Sequence, residues 1–363
     1  TLALGVAAGA SLARAAEKPE TYRATIWNTS SGLPQGSIND LLQTADGELW
    51  IATFGGLIRF DGVTFRVCDL DTLPGLTSNR VTALVSDGAT GLWFATQDGA
   101  LARLDGRAIR ESYRVPSGSR ELLALARAPS GVLWIQDSGG GVFRFEAGTW
   151  QRVGEPGGEG HYDGVCVNVD GSVSAGVQRE LVVYEPDGRE RSRLTAPGEV
   201  VSVAAGPSGT WVGLANGLAR VKGGTIERYS SEPALPLRMN SILDGGERGL
   251  WLGTSAGPVH LSIGQGSVPP VYVDHPLEMP RGFDVRCVLR DREGNLWLGS
   301  NGQGLVRLRP HRVERFGFPA RRSRIVALCD DGDGGAWLAN ERDGLSRLFD
   351  GAWKEKSVPL RAL

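Results

Sequence analysis

The sequence has little of the chemistry that most metal sites and redox centres use. Its four cysteines are scattered and form no CxxC pair: Cys68, Cys166, Cys287 and Cys329. None of its four histidines stands at a ligand spacing such as HxxxH. We therefore expect no metal and no cofactor, and we expect the cysteines to behave as small buried hydrophobic residues.

Catalytic and nucleic-acid-binding signatures are also missing. The chain contains no GxSxG elbow, Walker loop, kinase signature or helix-opening GxGxxG motif. The 39 basic residues nearly balance the 41 acidic ones, and no run of five like charges occurs. We expect no binding to nucleic acid or to an anionic membrane surface, and no enzymatic activity in this chain.

Long hydrophobic runs are absent as well. Leu2 to Leu12 is an Ala-rich apolar run, and Ala13-Arg14-Ala15-Ala16 follows it with the small residues of a signal-peptide cleavage site. No stretch approaches the roughly 18 apolar residues of a membrane span. Residues 1–16 are thus predicted to be a signal-peptide remnant. Because the chain opens at Thr1 without a basic segment, we expect it to be a fragment of a longer, exported protein.

What the sequence does contain is a repeat. Seven similar segments each contain a tryptophan, and a degenerate eighth copy has Ser174 in place of Trp. The tryptophans are Trp50, Trp93, Trp134, Trp211, Trp251, Trp297 and Trp337. Successive copies are 37 to 46 residues apart, a period typical of solenoids and propellers.

Each period predicts four short strands. In the first copy, Ser37 to Gln43, Leu49 to Thr53, Leu57 to Phe60 and Thr64 to Val67 have strand composition, and Gly-bearing turns separate them. Helical solenoids need longer stretches with few glycines, and a sandwich has no such period. We predict an all-β fold: a β-propeller of four-stranded antiparallel blades, in which the repeated Trp is buried between sheets.

Eight repeats leave two arrangements open. One is a seven-bladed ring plus the start of a second ring, which we favour slightly, and the other is a single eight-bladed ring. The isolated strand Tyr22 to Trp27 resembles a fourth strand, and we expect it to complete the last blade and close the ring.

An arginine recurs in the third strand, at Arg59, Arg103, Arg144, Arg220, Arg307 and Arg347. A ring of cations around a ligand is one interpretation. The favoured interpretation is structural: each stem packs between blades and each guanidinium pairs with a turn Asp or a carbonyl.

The first repeat carries a family resemblance. The segments Ser31-Gly32-Leu33-Pro34-Gln35, Asp46-Gly47-Glu48-Leu49-Trp50-Ile51-Ala52-Thr53 and Gly55-Gly56-Leu57-Ile58-Arg59-Phe60-Asp61-Gly62 resemble the two-component regulator propeller repeat. The resemblance extends over residues 22–363, which we assign to one propeller sensor domain.

The resemblance implies a receptor input domain. Propellers of this family are periplasmic ligand-binding regions of inner-membrane receptors, and a β-sandwich, a membrane span and a histidine kinase or diguanylate cyclase follow them. None of these modules is present in this sequence. We therefore expect a periplasmic sensor that contacts the membrane only through a missing C-terminal span and that forms a homodimer in the full receptor.

Geometry suggests where a ligand would bind. Loops between the second and third strands, and connections between blades, gather on one face around the channel. The candidate residues there are Gln35, Phe54, Arg80, Gln97, Asp98, His161, Tyr162, Asp163, Asn301, Asn340 and Arg342. Their amides, acids and aromatics suit a small polar ligand such as a carbohydrate, although each of them also suits an ordinary solvated turn.

Two other functions stay open. A secreted propeller enzyme, such as a lyase or hydrolase, would need convergent acids or a histidine cluster, and His161-Tyr162-Asp163 is the single hint of one. A scaffold that binds a protein partner through one face is the other alternative.

Overall fold

The computed structural model describes residues 22–116, 121–154, 164–229, 237–246, 249–261, 279–280, 282–310, 325–331, 335–340, 344–349 and 352–356. The chain divides into two compact units, one up to Pro310 and one from His311 onward. None of the helical structure within these ranges is long and apolar enough to cross a membrane.

The first unit is built of short antiparallel strands in sheets that follow the repeat. Strand β1 (Tyr22–Trp27) and a 3-10 helix (Thr29–Ser31) precede the first complete sheet. Sheets 1 to 3 contain β2 (Ile38–Gln43), β3 (Leu49–Thr53), β4 (Gly56–Phe60) and β5 (Phe65–Cys68); β6 (Val81–Ser86), β7 (Leu92–Thr96), β8 (Ala100–Asp105) and β9 (Ala108–Arg114); and β10 (Leu122–Arg127), β11 (Leu133–Asp137), β12 (Val142–Glu146) and β13 (Thr149–Gly154).

The next four sheets continue the same order. Sheets 4 and 5 contain β14 (Val165–Val167), β15 (Val173–Val177), β16 (Glu180–Tyr184) and β17 (Glu190–Thr195); and β18 (Val200–Gly206), β19 (Gly209–Leu214), β20 (Gly217–Lys222) and β21 (Thr225–Arg228). Sheets 6 and 7 contain β22 (Met239–Asp244), β23 (Leu250–Thr254) and β24 (Gly257–Leu261); and β25 (Val285–Arg290), β26 (Leu296–Ser300) and β27 (Leu305–Pro310).

The second unit holds one described sheet, sheet 8. Its strands are β28 (Ile325–Asp330), β29 (Ala336–Asn340), β30 (Gly344–Phe349) and β31 (Ala352–Lys356). In the first repeat, for which strand bounds were predicted, prediction and structure agree within one residue at each boundary, because the Gly-bearing turns determine where a strand can end.

The sheets of the first unit form a closed cycle. Their first strands are neighbours in the order β2, β6, β10, β14, β18, β22, β25 and again β2. The cycle closes through β1, which pairs antiparallel with β27 from Trp27 opposite Leu305 to Tyr22 opposite Pro310. The expectation that the isolated strand serves as a fourth strand is confirmed. Seven sheets in one cycle favour the seven-plus-one arrangement, and the blade count of the complete protein stays a prediction.

An aromatic cluster lies where the cycle closes. The ring of Trp27 on β1 stacks on Trp297 of sheet 7 at 5.6 Å between centroids, and it meets Phe60 and Phe65 of sheet 1 edge-on at 5.5 and 6.4 Å. Aromatic pairs at these separations stabilise by about 0.5–1.5 kcal/mol beyond the area they bury. The N-terminal strand is therefore tied to both sides of the closure.

Near the axis, hydrogen bonds join each sheet to the next. Among the described sheets, the first strands of all except sheet 4 have a β-bulge at their second residue, as at Asn39. The Asn39 amide donates to the carbonyl of Val81 at 2.7 Å, and the Thr82 hydroxyl donates to the carbonyl of Leu122 at 2.5 Å. A bulge re-aims the side chain that carries it, and here it directs polar groups across the seam.

The repeated Trp residues are buried as predicted. Trp134, Trp211 and Trp251 are at most 1% exposed, and Trp50, Trp93 and Trp297 are at most 9% exposed. Trp337 in sheet 8 is half-buried. Each lies directly opposite a third-strand residue, in the pairs Trp50–Arg59, Trp93–Arg103, Trp134–Arg144, Trp211–Arg220, Trp251–His260, Trp297–Arg307 and Trp337–Arg347.

The structural interpretation of the repeated arginines is confirmed for most of them. Arg103 binds Asp87 at 3.0 Å, Arg347 binds Asp331 at 2.5 Å, and Arg144 donates to the Pro186 carbonyl at 3.0 Å. Arg59 pairs with Glu48, and Arg220 donates to the Ser208 carbonyl.

Arg307 departs from this pattern. Its guanidinium lies 5.3 Å from the ring of Trp27 and 5.5 Å from that of Trp297, and burial lowers its pKa. The turn acid of its sheet, Asp291, accepts instead from the indole nitrogen of Trp297 at 2.8 Å. At the closure, this arginine therefore contributes packing rather than an ion pair.

Sheet 4 shows how the propeller accommodates the missing indole. Ser174 is 1% exposed, and its hydroxyl accepts from the Asn168 amide at 2.8 Å. The Asn168 amide also donates to Ser172, and its oxygen accepts from the Thr210 hydroxyl of sheet 5 at 3.0 Å. A satisfied polar network thus occupies the seam where other repeats place an aromatic ring.

The cysteines follow the prediction in part. Cys287 is buried, Cys68 and Cys166 are half-buried, and burial raises the pKa of the Cys166 thiol to about 12. Cys329 on β28 is exposed, so the expectation of burial is wrong for this residue. All four are free thiols.

The close approach of sheets 7 and 1 generates a stability prediction. A Cβ at Gly36 would lie 2.7 Å from the carbonyl oxygen of Gly302, whereas a Cβ at nearby Gly55 would make ordinary contacts of 3.6 Å or more. We expect Gly36→Ala to lower the free energy of unfolding by about 1–3 kcal/mol, because backbone at the closure must shift. Gly55→Ala should change it by less than about 0.5 kcal/mol. Chemical denaturation of both variants checks this, and equal stability of the two would contradict it.

Candidate functional site

One recurrent hydrogen bond brings two sets of loops to the same face. In five sheets, the residue that follows the second strand donates its backbone N–H to the carbonyl of the residue that precedes the first strand. The pairs are Gln97 to Arg80, Ser138 to Glu121, Ala215 to Glu199, Ser255 to Arg238 and Asn301 to Asp284. The loops between second and third strands therefore lie beside the connections between sheets, as predicted. We call this face the loop rim.

On sheets 1 and 2 the rim combines an aromatic ring with a cation. The Arg80 guanidinium lies 4.2 Å from the centre of the Phe54 ring, and Arg80 itself is exposed. The Gln35 side chain packs beside Gly55, in the same loop as Phe54. A cation over a ring at this distance is stabilised by the ring quadrupole, which orders Arg80 without consuming its hydrogen-bond donors.

On sheet 2 the rim holds an anchored carboxylate. Asp98 accepts from the hydroxyls of Thr96 at 2.5 Å and Thr77 at 3.2 Å, and it pairs with Arg114 at 2.8 Å. Partial burial acts to raise the pKa of Asp98, but these hydrogen bonds outweigh it and the pKa is lowered. Asp98 thus orders its own loop, while Gln97 reaches Glu121 of sheet 3 at 3.4 Å.

On sheets 6 and 7 amides surround another carboxylate. Asp284 accepts from the side-chain amide of Asn240 at 3.0 Å and from that of Asn301 at 3.4 Å. The Gln303 side-chain oxygen accepts from the Asp284 backbone N–H at 3.1 Å, and Asn301 also bridges to Ser37 of sheet 1. This cluster continues the rim across the closure.

The predicted residues are therefore grouped on one arc. Asn301, Gln35, Phe54, Arg80, Gln97 and Asp98 belong to sheets 7, 1 and 2, which are consecutive in the cycle. We call these six residues the rim arc. His161, Tyr162, Asp163 and Arg342 lie outside the described residues. Asn340 ends β29 in the second unit, so the structure does not place it with the arc.

Sequence reasoning missed three polar residues of the rim, Glu121, Asp284 and Gln303. A signal for two of them was present. Arg80, Glu121, Glu199, Arg238 and Asp284 all occupy the position directly before a first strand, so alignment of the repeats on that strand would have found Glu121 and Asp284. Gln303 has no such register signal.

The arc offers binding chemistry of a particular kind. It presents amide donors and acceptors, one exposed guanidinium and one aromatic face, all on loops that a rigid sheet framework positions. Among the described residues, no group of three or more His, Cys, Asp or Glu is arranged to hold a metal ion. Hydrogen bonding to a polar molecule beside an aromatic ring is the chemistry that this set supports best.

Solved structures identify the class of fold. The chain is similar to the extracellular domain of what is described as a hybrid two component system from B. thetaiotaomicron, with 18% identity and a TM-score of 0.63 over 92% of this chain and 49% of that one. A second such domain from the same organism matches at 17% identity and 0.65, over 92% and 46%. Virginiamycin B lyase from Staphylococcus aureus matches at 14% and 0.67, over 79% and 99%.

These neighbours are β-propellers, and the all-β propeller fold predicted from the sequence is confirmed. The chain spans about half the length of the two extracellular domains. No protein of curated function matches its sequence.

A protein-family model also matches parts of the sequence. The family model of the two component regulator propeller matches residues 32–55 and 281–302, which confirms the resemblance seen in the sequence. These segments include β2 and β3 of sheet 1 and β25 and β26 of sheet 7, the two sheets that meet at the closure.

The anchored carboxylate gives a pH-dependent prediction. Asp98→Asn should lower the free energy of unfolding at neutral pH by about 1 kcal/mol, because charged hydrogen bonds become neutral ones. Since the folded pKa of Asp98 is lowered, its contribution is complete above the unfolded pKa of about 3.9 and is lost as pH falls through the folded pKa.

Urea denaturation of the wild type and Asp98→Asn between pH 7 and pH 3 measures this effect. The difference between the two proteins should shrink below about pH 4. A constant difference across the range would mean that the carboxylate charge does not stabilise the loop.

Proposed function

We propose that this chain is the extracytoplasmic, ligand-sensing input domain of a transmembrane signalling receptor. The observation that carries the proposal is the match of two component regulator repeats to both sides of the closure, supported by the likeness to two extracellular domains of that class. The chain itself is not an enzyme in this proposal, and a kinase or diguanylate cyclase in the same receptor supplies the output.

The ligand is a small polar molecule, such as a carbohydrate, bound at the rim arc. Sugars stack an apolar face on aromatic rings and exchange hydrogen bonds with amides, and Phe54, Gln35, Gln97 and Asn301 offer both contacts. Arg80 adds a charged donor within the same arc. The protein works in the periplasm, where such molecules arrive from outside the cell.

Signal transfer follows from where the arc lies. Its residues come from sheets 7, 1 and 2, so a ligand that contacts them bridges two seams. A ligand shifts an equilibrium between two receptor states only if its affinities for the two states differ. A ligand that contacts two sheets across a seam has different affinities for states in which the sheets are arranged differently. In a homodimeric receptor, this bias is passed to the membrane-proximal part of each subunit.

Ligand binding at the arc is tested by thermal shift against a panel of neutral mono- and disaccharides. A ligand at 100 times its Kd stabilises the native state by about 2.7 kcal/mol. We expect one or more sugars to raise the Tm of the wild type but not that of Phe54→Ala/Gln97→Ala. Val63→Ala, an 86% exposed residue in a turn at the other end of sheet 1, is the matched control and should respond like the wild type. A panel with no response, or a response that the double variant keeps, would sink the arc as the site.

The input role is tested separately in the gene. The proposal expects the reading frame beyond the codon for Leu363 to encode a membrane span and a cytoplasmic output module. A stop codon shortly after Leu363 would contradict the receptor assignment while leaving ligand binding untouched.

A second candidate is a secreted lyase. It is favoured by the match to virginiamycin B lyase over 99% of that enzyme. Incubation of the protein with a streptogramin B antibiotic tests it directly, with His161→Ala and Asp163→Ala as variants. Turnover that these substitutions abolish would support the enzyme, and unchanged substrate would remove it.

A further inference from the structure

A cleft lies at the seam between sheets 1 and 2. It extends from the turn between β8 and β9, at Gly106 and Arg107, to the connection between the two sheets, at Thr72 and Leu73. One part of the cleft has a volume of about 180 Å³. Its lining comprises Trp50, Arg59, Arg66, Val67, Cys68, Thr72, Leu73, Leu104, Gly106 and Arg107.

The lining of this part has a distinct chemistry. Trp50, Leu73 and Leu104 are buried and form an apolar floor, and three arginines stand around it. Among the described residues that line this part, none is a carboxylate. The carboxylates of Asp46, Glu48 and Asp61 line two adjoining parts of the cleft, and both of these parts share Arg59 and Arg107 with this one.

The adjoining carboxylates are already engaged. Glu48 pairs with Arg59, and Asp46 accepts from the hydroxyl of Thr44 at 2.6 Å. Asp61 accepts backbone N–H groups of Thr64 at 2.7 Å and Val63 at 2.9 Å. The other two arginines of the cleft, Arg66 and Arg107, are exposed.

Arg66 adds a second cation beside Arg59. The residue that pairs with the third-strand arginine across the last two strands varies among the sheets: it is Glu111 in sheet 2, Glu227 in sheet 5, Gln151 in sheet 3 and Lys354 in sheet 8. In sheet 1, the residue opposite Arg59 is Arg66. Like charges directly opposite each other in a sheet are destabilising, so this pair concentrates positive charge at the seam at a cost in stability.

Arg107 adds a third cation to the cleft. It follows Gly106 in the turn between β8 and β9, and sheet 4 has the same Gly-Arg pair at Gly188-Arg189. Both additional cations therefore occur at one seam, and they face the same cleft. Their coincidence with an apolar floor is what a binding site for an organic anion requires.

We propose that this cleft binds a small organic anion, in which a carboxylate or sulfate group pairs with Arg66 and Arg107 and a single ring covers the floor formed by Trp50, Leu73 and Leu104. A guanidinium matches the geometry of such oxyanions with two parallel hydrogen bonds. A cavity of about 150 Å³ accepts a benzene ring, so a site of about 180 Å³ has room for one ring. This second site is independent of the sensing function proposed for the rim.

Aromatic acids and acidic sugars share this chemistry, and calorimetry distinguishes them. Benzoate and glucuronate are titrated into the full chain, with benzyl alcohol and glucose as neutral counterparts at matched ionic strength. At least one anion should bind, with its neutral counterpart at least tenfold weaker. The anion that binds identifies the source.

Variants locate the site. Arg66→Glu restores the cross-strand pairing of sheets 2 and 5, so it should raise the Tm of the free protein while weakening anion binding at least tenfold. Arg107→Gln should weaken binding without changing the Tm of the free protein by more than about 2 °C, as expected for an exposed residue. Arg110→Glu, at an exposed arginine on β9 outside the cleft, is the matched control and should bind as the wild type does.

Three results would overturn the proposal. The first is that neither anion binds above its neutral counterpart. The second is that Arg66→Glu, folded by circular dichroism, binds the anion as well as the wild type. The third is that Arg110→Glu loses affinity as much as Arg66→Glu does, which would indicate attraction to the general surface charge.

Discussion

The structure of the first unit depends on closure of its cycle of sheets. Each sheet carries apolar side chains on both faces, and a face is buried only when a neighbouring sheet covers it. Pairing of β1 with β27 supplies the last cover, and Trp27 joins both sides through Trp297 and Phe60. The burial of the Trp strands of the first unit and the gathering of its loops on one face follow from that closure.

Much of this was predictable because the repeat encodes it. Glycine-bearing turns indicated where the strands end, and the Trp period indicated which strand of each sheet is buried. The composition of the isolated strand Tyr22–Trp27 indicated that it would serve as a fourth strand and complete the last sheet. The role of repeated arginines such as Arg103 followed from the same logic. Features that recur in every repeat serve the fold that the repeats share, so their structural role can be predicted from a single sequence.

The rest depends on contacts between residues far apart in sequence. Nothing local indicates that Gly36 must accommodate the Gly302 carbonyl, or that Asp98 is occupied by Thr77 and Arg114. The sequence was sufficient to place the rim residues on one face. Their grouping on consecutive sheets could be seen only from the order of the sheets in the structure. Cys329 was misjudged because a cysteine outside any CxxC pair was expected to be a small buried hydrophobic residue.

The closing strand also constrains how the chain can fold. Trp27 can pair with Leu305 only after almost the whole first unit has been synthesised. The N-terminal strand therefore stays unpaired while the hairpins of the seven sheets form locally. Closing so long a loop is entropically unfavourable, and such non-local pairing is typically the slow step of folding. Until then β27 is an unpaired edge, open to the equivalent strand of another molecule. A partner segment of the Tyr22–Trp27 type could therefore exchange between chains, which makes this junction the natural point for strand-swapped assembly.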